Sequence, residues 1–157
     1  MNRLIPILGL ILVGIMLSSS LDAHSRSLPP YPFSKPSREK PKPSLSITPE
    51  QKAMRLYRYT RKENPRLRWN ECLAQKAYQR AKQMVKRDYF EHYDPRTGEN
   101  PSWDLVVECF RCRFAGENLA KGNESAEVIH QALMRSRTHR KNILDPRFTM
   151  LGVGCYD

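Results

Sequence analysis

The sequence contains none of the short motifs that mark the common nucleotide-dependent and hydrolytic enzymes. It has no glycine-rich phosphate loop, no Gly-x-Ser-x-Gly elbow and no His-Glu-x-x-His pair. It also has no internal repeat and no apolar run of the roughly 20 residues that a membrane-spanning helix needs. A function must therefore be inferred from charge, export signals and residues scattered along the chain.

Acidic residues are scarce, because 16 Asp and Glu stand against 27 Lys and Arg, for a net charge of +11. Such a balance favours anionic partners such as cell-wall polymers, anionic lipid head groups or nucleic acid. Nucleic acid is not the expected partner, since no basic patch is interleaved with aromatic residues. A basic surface that is merely solvated explains the charge equally well.

The N-terminus has the pattern of a secretory signal. Arg3 precedes an apolar run over residues 4–17, and small residues follow it. Residues 1–23 are therefore predicted to be a signal peptide, cut after Ser20 or Ala23, which implies a secreted or extracytoplasmic protein. An uncleaved N-terminal anchor is the alternative. A lipoprotein-type anchor is not supported, because no cysteine follows the run closely.

The composition then divides the rest of the chain in two. Residues 24–47 are rich in proline, serine and basic residues, so little of the segment can be buried and a disordered linker is predicted. The linker is either a plain spacer or a tether to an anionic wall. Residues 48–157 have a length that suits one folded domain.

The domain is expected to open with a helix. Thr48 suits an N-cap, Pro49 suits the first helical position, and Gln51 completes a capping-box pattern. The helix should end at Asn64, because proline follows. Residues 67–69 then form a short extended bridge.

A longer helix is predicted from the cap Asn70 to about Arg87. Its basic residues, Arg80 among them, are expected mostly on the faces that do not meet the core. The apolar stripe consists of Leu73, Ala77, Ala81, Met84 and Val85. We predict a core-facing helix that contributes no site chemistry.

The middle of the domain is less regular. Within residues 101–115, the stretch Trp103–Val107 is apolar apart from Asp104, and Cys109–Cys112 fits either a bulged strand or a loop pinned by a disulfide bond. Gly116 is expected to turn the chain, which would place Glu117 in a loop. His92 follows the long helix and precedes a turn cluster, where it is well placed to line a cleft, although such a histidine is more often an ordinary residue.

The C-terminal part predicts a helix and a strand. Ser125 caps a helix to about Ser136 that buries Val128, Ile129, Ala132 and Leu133 and leaves His130 on the surface. Alternating residues over 151–156 predict a strand, in which Gly152 and Gly154 permit close approach of another backbone.

Four cysteines in an exported chain predict disulfide bonds, with three possible pairings. The candidates are Cys72, Cys109, Cys112 and Cys155. A structural zinc site that includes Cys109-x-x-Cys112 is the weaker alternative, because such sites usually carry a second close pair.

Five stretches, in this order, resemble the bacterial branch of the CAP family, the family of cysteine-rich secretory proteins, antigen five and pathogenesis-related proteins. They are Leu67–Asn70, Tyr89–His92, Gly116–Ala120, Ser136–Leu144 and Phe148–Gly154. The resemblance covers about residues 48–157.

The resemblance implies an α+β fold, an α-β-α sandwich with a small, mainly antiparallel sheet between helical layers. It also implies a cleft that joins His92, Glu117 and His139. Thr138 replaces the family's usual glycine, and the second acid of many members has no clear match. Members commonly continue beyond the position of Asp157, so the sheet is expected to lack a final strand.

The function that follows is a non-enzymatic binding module for an anionic or lipid ligand, outside the cell or at the envelope. Catalysis is less expected, because the sequence shows no positioned nucleophile. The enzymatic alternative is a metal-assisted hydrolase that uses His92, Glu117 and His139, with His92 and His139 as ligands of a zinc ion. A third interpretation is structural, with Glu117 orienting His139 by a hydrogen bond.

Overall fold

A computed structural model describes the backbone of residues 7–14 and residues 47–156 with their side chains, and these belong to one structural unit. The predicted cleavage positions and the linker 24–47, except for its last residue, lie outside the described residues. The helices are α1 (Pro49–Glu63), α2 (Glu71–Lys86), α3 (Pro101–Val107), α4 (Ala126–Arg135) and α5 (Arg137–Leu144). The strands are β1 (Ile7–Gly14), β2 (Arg68–Trp69), β3 (Phe114–Lys121) and β4 (Met150–Tyr156).

The strands form a four-stranded sheet in the order β2-β4-β1-β3. β1 is antiparallel to both of its neighbours, with Leu10 opposite Asn118 of β3 and opposite Val153 of β4. β2 pairs in parallel with Met150 and Leu151 at the start of β4. The sheet is therefore small and mainly antiparallel, as predicted.

Helices cover both faces of β4, which confirms the α-β-α sandwich. Leu151, Val153 and Cys155 pack into a core built with α1 and α4. The alternate residues, Gly152 and Gly154, lie against the backbone of α2. Successive residues of a strand project to opposite faces, so α1 and α4 form one layer and α2 the other.

The predicted helix starts are confirmed by their caps. The Thr48 side chain accepts from the Gln51 N–H at 3.3 Å, and the Gln51 side chain accepts from the Thr48 N–H at 3.0 Å. Asn70 and Ser125 accept N–H groups three residues on. Each cap satisfies a donor that would otherwise have no partner in the first turn.

Close approach of α2 to β4 depends on the two glycines of β4. A Cβ at Gly152 would lie 2.2 Å from the backbone of Leu73 and Ala74, and one at Gly154 would lie 2.0 Å from the Tyr78 nitrogen. The prediction that these glycines admit another backbone is thus confirmed, and that backbone is α2.

In the middle of the domain the structure decides one pair of alternatives and contradicts one prediction. Residues 109–112 form a loop that the Cys72–Cys109 disulfide holds, which is the second of the two forms expected for Cys109–Cys112. Residues 101–107 form the helix α3, because Asn100 caps it and Pro101 occupies its first turn. Gly116 does not turn the chain, because it lies inside β3 and pairs with Leu12. Glu117 is consequently a strand residue and not a loop residue.

The predicted face of α4 is also partly wrong. The buried residues are Ala126, Ile129, His130 and Leu133, which are spaced at i, i+3, i+4 and i+7. His130 is 6% exposed and stacks on Tyr59 at 5.7 Å between ring centroids, whereas Val128 is exposed. The aromatic contact from α1 explains why a histidine lies on the inner face.

A single pairing emerges from the three that the cysteines allowed. Cys72 on the first turn of α2 forms a disulfide with Cys109, just beyond α3. Cys112 keeps a free thiol. A second disulfide bond, which would have to include Cys112, is therefore not formed among the described residues. Burial raises the pKa of the Cys112 thiol, which disfavours its reactive thiolate.

None of the helices within residues 47–156 is both long enough and apolar enough to cross a membrane.

We expect Gly152→Ala to lower the free energy of unfolding by about 3 kcal/mol, because α2 would have to move away from β4. The control is Gly98→Ala, where nothing lies within 4 Å and only the φ of +72° opposes a side chain. That control should cost about 1 kcal/mol. Urea unfolding measures both, and equal losses would contradict the proposed packing.

Candidate functional site

The centre of the candidate site is the carboxylate of Glu117, whose side chain is 4% exposed. Oε1 accepts hydrogen bonds from Arg80 Nε at 3.2 Å and from the Ser102 hydroxyl. Oε2 lies 2.8 Å from His92 Nδ1. Because a buried carboxylate is costly without partners, these three contacts offset the cost of burying Glu117.

Arg80 supplies the positive charge that balances Glu117. Its side chain is fully buried, so its predicted position on a solvent face is wrong. The guanidinium has five N–H donors, and all five find acceptors. These acceptors are the side chains of Glu117, Gln83 and Tyr89 and the backbone carbonyls of Glu91 and His92.

These contacts hold the segment that carries His92. Two backbone carbonyls, those of Glu91 and His92, accept from the same nitrogen of Arg80, at 2.7 and 3.2 Å. A second pair, Arg87 with Asp94, ties the end of α2 to the turn that follows. The backbone of His92 is therefore positioned by α2 before its ring makes any contact.

The imidazole of His92 remains accessible, with 46% of its side chain exposed. Its hydrogen bond to Glu117 raises the pKa of His92, against opposing effects of burial and of the Arg80 charge. The Glu117 contact therefore favours a protonated imidazolium that is half open to solvent.

His139 reaches the site from the opposite helical layer. The Asn118 side chain donates to the backbone carbonyl of His139 at 3.1 Å. Asn142 in turn donates to the Asn118 side-chain oxygen at 3.0 Å, which fastens α5 to β3. His139 is thus held through its backbone, and its ring is left for other contacts.

The two histidines lie close enough to affect each other electrostatically. Burial lowers the pKa of His139, and the charge on His92 lowers it further. Glu117 contacts His92 and not His139, which corrects the interpretation in which Glu117 orients His139. The structure brings the three predicted residues into one region, with one imidazole biased towards the charged form and the other towards the neutral form.

The donor set does not suit a zinc ion. Within residues 47–156, no three His, Cys, Asp or Glu side chains lie together in a way that could hold a metal. Both oxygens of Glu117 already have partners, and Arg80 neutralises its charge. Two imidazoles would remain, and protein zinc sites usually supply at least three ligands.

Sequence reasoning missed the residues that surround the three predicted ones. Asn118 and Asn142 lie in two of the stretches that resemble the family, but no role was predicted for either, and Ser102 gave no signal. Arg80 did give one, because it falls on the stripe 73, 77, 80, 84 that faces the core. A charged residue on an apolar stripe indicates a buried partner.

A second feature lies away from the histidines. A groove of about 580 Å³ opens between α1 and α2 beside β4, and its walls are mainly apolar. Trp69, Tyr78 and Val153 contribute to these walls, and Glu50, Glu71 and Lys82 contribute charges. None of the residues around Glu117 lines it.

Comparisons with known proteins agree with this fold. The model of the CAP family, described as the cysteine-rich secretory protein family, matches residues 52–157. The chain is 38% identical over 89 residues to the uncharacterized protein YkwD of Bacillus subtilis, a match that covers 56% of this chain and 34% of YkwD.

A solved structure is also similar, that of an extracellular protein containing a SCP domain from Bacillus anthracis. Its TM-score is 0.61 at 29% identity, over 73% of this chain and 42% of that one. The chain thus spans between a third and a half of the length of the relatives it matches.

We expect Arg80→Met to lower the free energy of unfolding by roughly 4 kcal/mol, because Glu117 would stay buried without its cation. Lys86→Met, on the exposed surface of the same helix, should change it by less than about 0.5 kcal/mol. Chemical denaturation at neutral pH compares the two. A loss for Arg80→Met no larger than that for Lys86→Met would show that the pair contributes nothing.

We expect His92 to titrate above its ordinary pKa of 6.5 and His139 below it, as measured by NMR of the imidazole protons. The stabilisation from His92 should be complete below pH 6.5 and should be lost as the pH rises through its raised pKa. In His92→Asn, the pKa of His139 should rise, because a neighbouring positive charge is removed. An unchanged His139 titration would mean that the rings do not interact.

Proposed function

Because this chain belongs to the cysteine-rich secretory protein family, whose model matches residues 52–157, we propose that it is an extracellular or envelope binding module that holds an anionic group between His92 and His139. The B. anthracis protein of similar fold is described as extracellular, which supports the location. The predicted secretory signal supports it from the sequence. The chemistry of the site indicates the class of ligand.

The observation that carries the proposal is the unfavourable interaction between the two imidazoles. The charge on His92 lowers the pKa of His139, so the site resists holding two positive charges by itself. An anion placed between the rings would reverse this effect and favour protonation of both. The site is therefore suited to bind an anion and a proton together.

The surroundings of His139 strengthen this preference. Arg137, Arg140 and Lys141 on α5 are all exposed, and Glu117 offers no free charge because Arg80 neutralises it. The chain as a whole carries +11. A phosphate group, whether on a wall polymer or on a lipid head group, has the chemistry that such a surface attracts.

The site supports binding better than hydrolysis. The Ser102 hydroxyl is buried and donates to Glu117, so it is not placed as a nucleophile. The metal-assisted alternative needs Glu117 as a ligand, and its oxygens are occupied by Arg80, Ser102 and His92.

A lipid with a long apolar part is the second candidate ligand, and the groove between α1 and α2 is the observation that favours it. Its volume of about 580 Å³ and its walls of Trp69, Tyr78 and Val153 suit an apolar molecule. Binding there would depend little on salt, whereas binding at the histidines would depend strongly on it.

We expect the full chain to bind anionic phospholipid vesicles or isolated cell walls about tenfold more tightly at about pH 5.5 than at about pH 7.5, because the imidazoles gain positive charge as the pH falls and a bound anion favours their protonation. Sedimentation measures the bound fraction, and inorganic phosphate should compete. Vesicles and cell walls are tested separately, so the experiment shows whether the phosphate group belongs to a lipid head group or to a wall polymer.

The variant His139→Gln should lose the pH dependence, whereas His130→Gln, whose imidazole is buried elsewhere, should keep it. If His139→Gln binds with the same pH dependence as the parent, the anion does not bind at this site. Binding that is indifferent to pH and to high salt in the parent would favour the apolar groove.

A further inference from the structure

The strand formed by the N-terminal apolar run lies inside the sheet and not at its edge. β1 pairs with β3 over all eight of its residues, from Ile7 opposite Lys121 to Gly14 opposite Phe114. On its other side it pairs with β4 over seven residues, from Ile7 to Val13. β3 and β4 are not neighbours, because β1 separates them.

The candidate site depends on this strand. In the described sheet, β3 has no strand neighbour other than β1. The residues of β3 that build the site, Glu117 and Asn118, lie opposite Ile11 and Leu10. Without β1, the backbone of β3 would lose its inter-strand hydrogen bonds around Glu117 and Asn118, the residues that contact His92 and His139.

The structural role is incompatible with both interpretations of the run from sequence. A signal peptide cut after Ser20 or Ala23 would remove residues 7–14 from the protein. An uncleaved anchor would place the same residues in the membrane. In either case β3 and β4 would each be left with an open edge inside the domain, and buried backbone groups without partners are strongly unfavourable.

We propose that residues 7–14 are retained in the folded protein as the interior strand of the sheet, so that the apolar run completes the fold and holds Glu117 and Asn118 in place. The run would thus be a structural element of the site, in addition to any part it takes in export. This inference rests on strand pairing alone and does not depend on the proposed ligand.

The register offers a direct test by engineered cross-linking. Arg68 and Asn70 donate to the carbonyls of Thr149 and Leu151, so the odd-numbered residues of β4 hydrogen-bond towards β2 and the even-numbered ones towards β1. It follows that the N–H and C=O groups of odd-numbered residues of β1 hydrogen-bond to β4, and those of even-numbered residues hydrogen-bond to β3.

Val13 and Ala115 are therefore a non-hydrogen-bonded pair of β1 and β3. The Cα atoms of such pairs lie about 4.5 Å apart, which suits a disulfide. The variant is Val13→Cys with Ala115→Cys. Cys112→Ser is included in the background, because the free thiol of Cys112 would otherwise compete.

The matched control is Leu12→Cys with Ala115→Cys in the same background. It differs by one residue in register, which places the two positions on opposite faces of the sheet. Both variants are made as full chains in cells that export the protein. The product is analysed by intact mass and by peptide mapping without reduction, and the unsubstituted protein is analysed by intact mass alongside them.

The expected result is a folded protein that contains residues 7–14, with a 13–115 cross-link in the first variant and little or no 12–115 cross-link in the control. A folded parent protein that begins after Ser20 or Ala23, with His92 still titrating above its ordinary pKa, would overturn the proposal. Equal cross-linking in the two variants, or none in a folded protein that contains the run, would overturn it as well.

Discussion

The structure depends on one buried ion pair, that of Arg80 with Glu117. Both side chains are almost completely removed from solvent, and the loss of hydration is several kcal/mol for each ion unless polar partners replace it. The partners are all present, since every N–H of the guanidinium has an acceptor and both carboxylate oxygens have donors. The pair therefore constrains several elements at once: α2, β3, the start of α3 and the segment that carries His92.

The site contains side chains from both faces of the strand β3. Glu117 is directed to the layer of α2 and α3, where it meets Arg80 and Ser102. The next residue, Asn118, contacts α5 in the other layer, through the His139 carbonyl and Asn142. Two adjacent residues of β3 thus bring together histidines that are far apart in the sequence. Since β1 supports this strand along its whole length, the apolar N-terminal run, the sheet and the site are coupled.

Much of the fold could be predicted from the sequence, because its signals are local. The capping box at Thr48, the cap at Asn70 and the alternation in β4 specified element ends to within about one residue. The family resemblance supplied the sandwich and the three site residues. What could not be predicted depends on long-range partners: Arg80 lies inside because Glu117 lies inside, and His130 lies inside because Tyr59 stacks on it. The strand β1 was missed for the same reason, since an apolar run indicates burial but not whether a membrane or a sheet surrounds it.

The most direct test of this account is a double-mutant cycle on Arg80 and Glu117, measured by chemical denaturation at neutral pH with Arg80→Met, Glu117→Gln and the pair together. If the two side chains form one unit, each single change leaves an unmatched buried group. The double variant should then be more stable than the sum of the single losses implies, by about 2 kcal/mol or more. Losses that add to within about 0.5 kcal/mol would show that the two residues act independently and would contradict the central role of the pair.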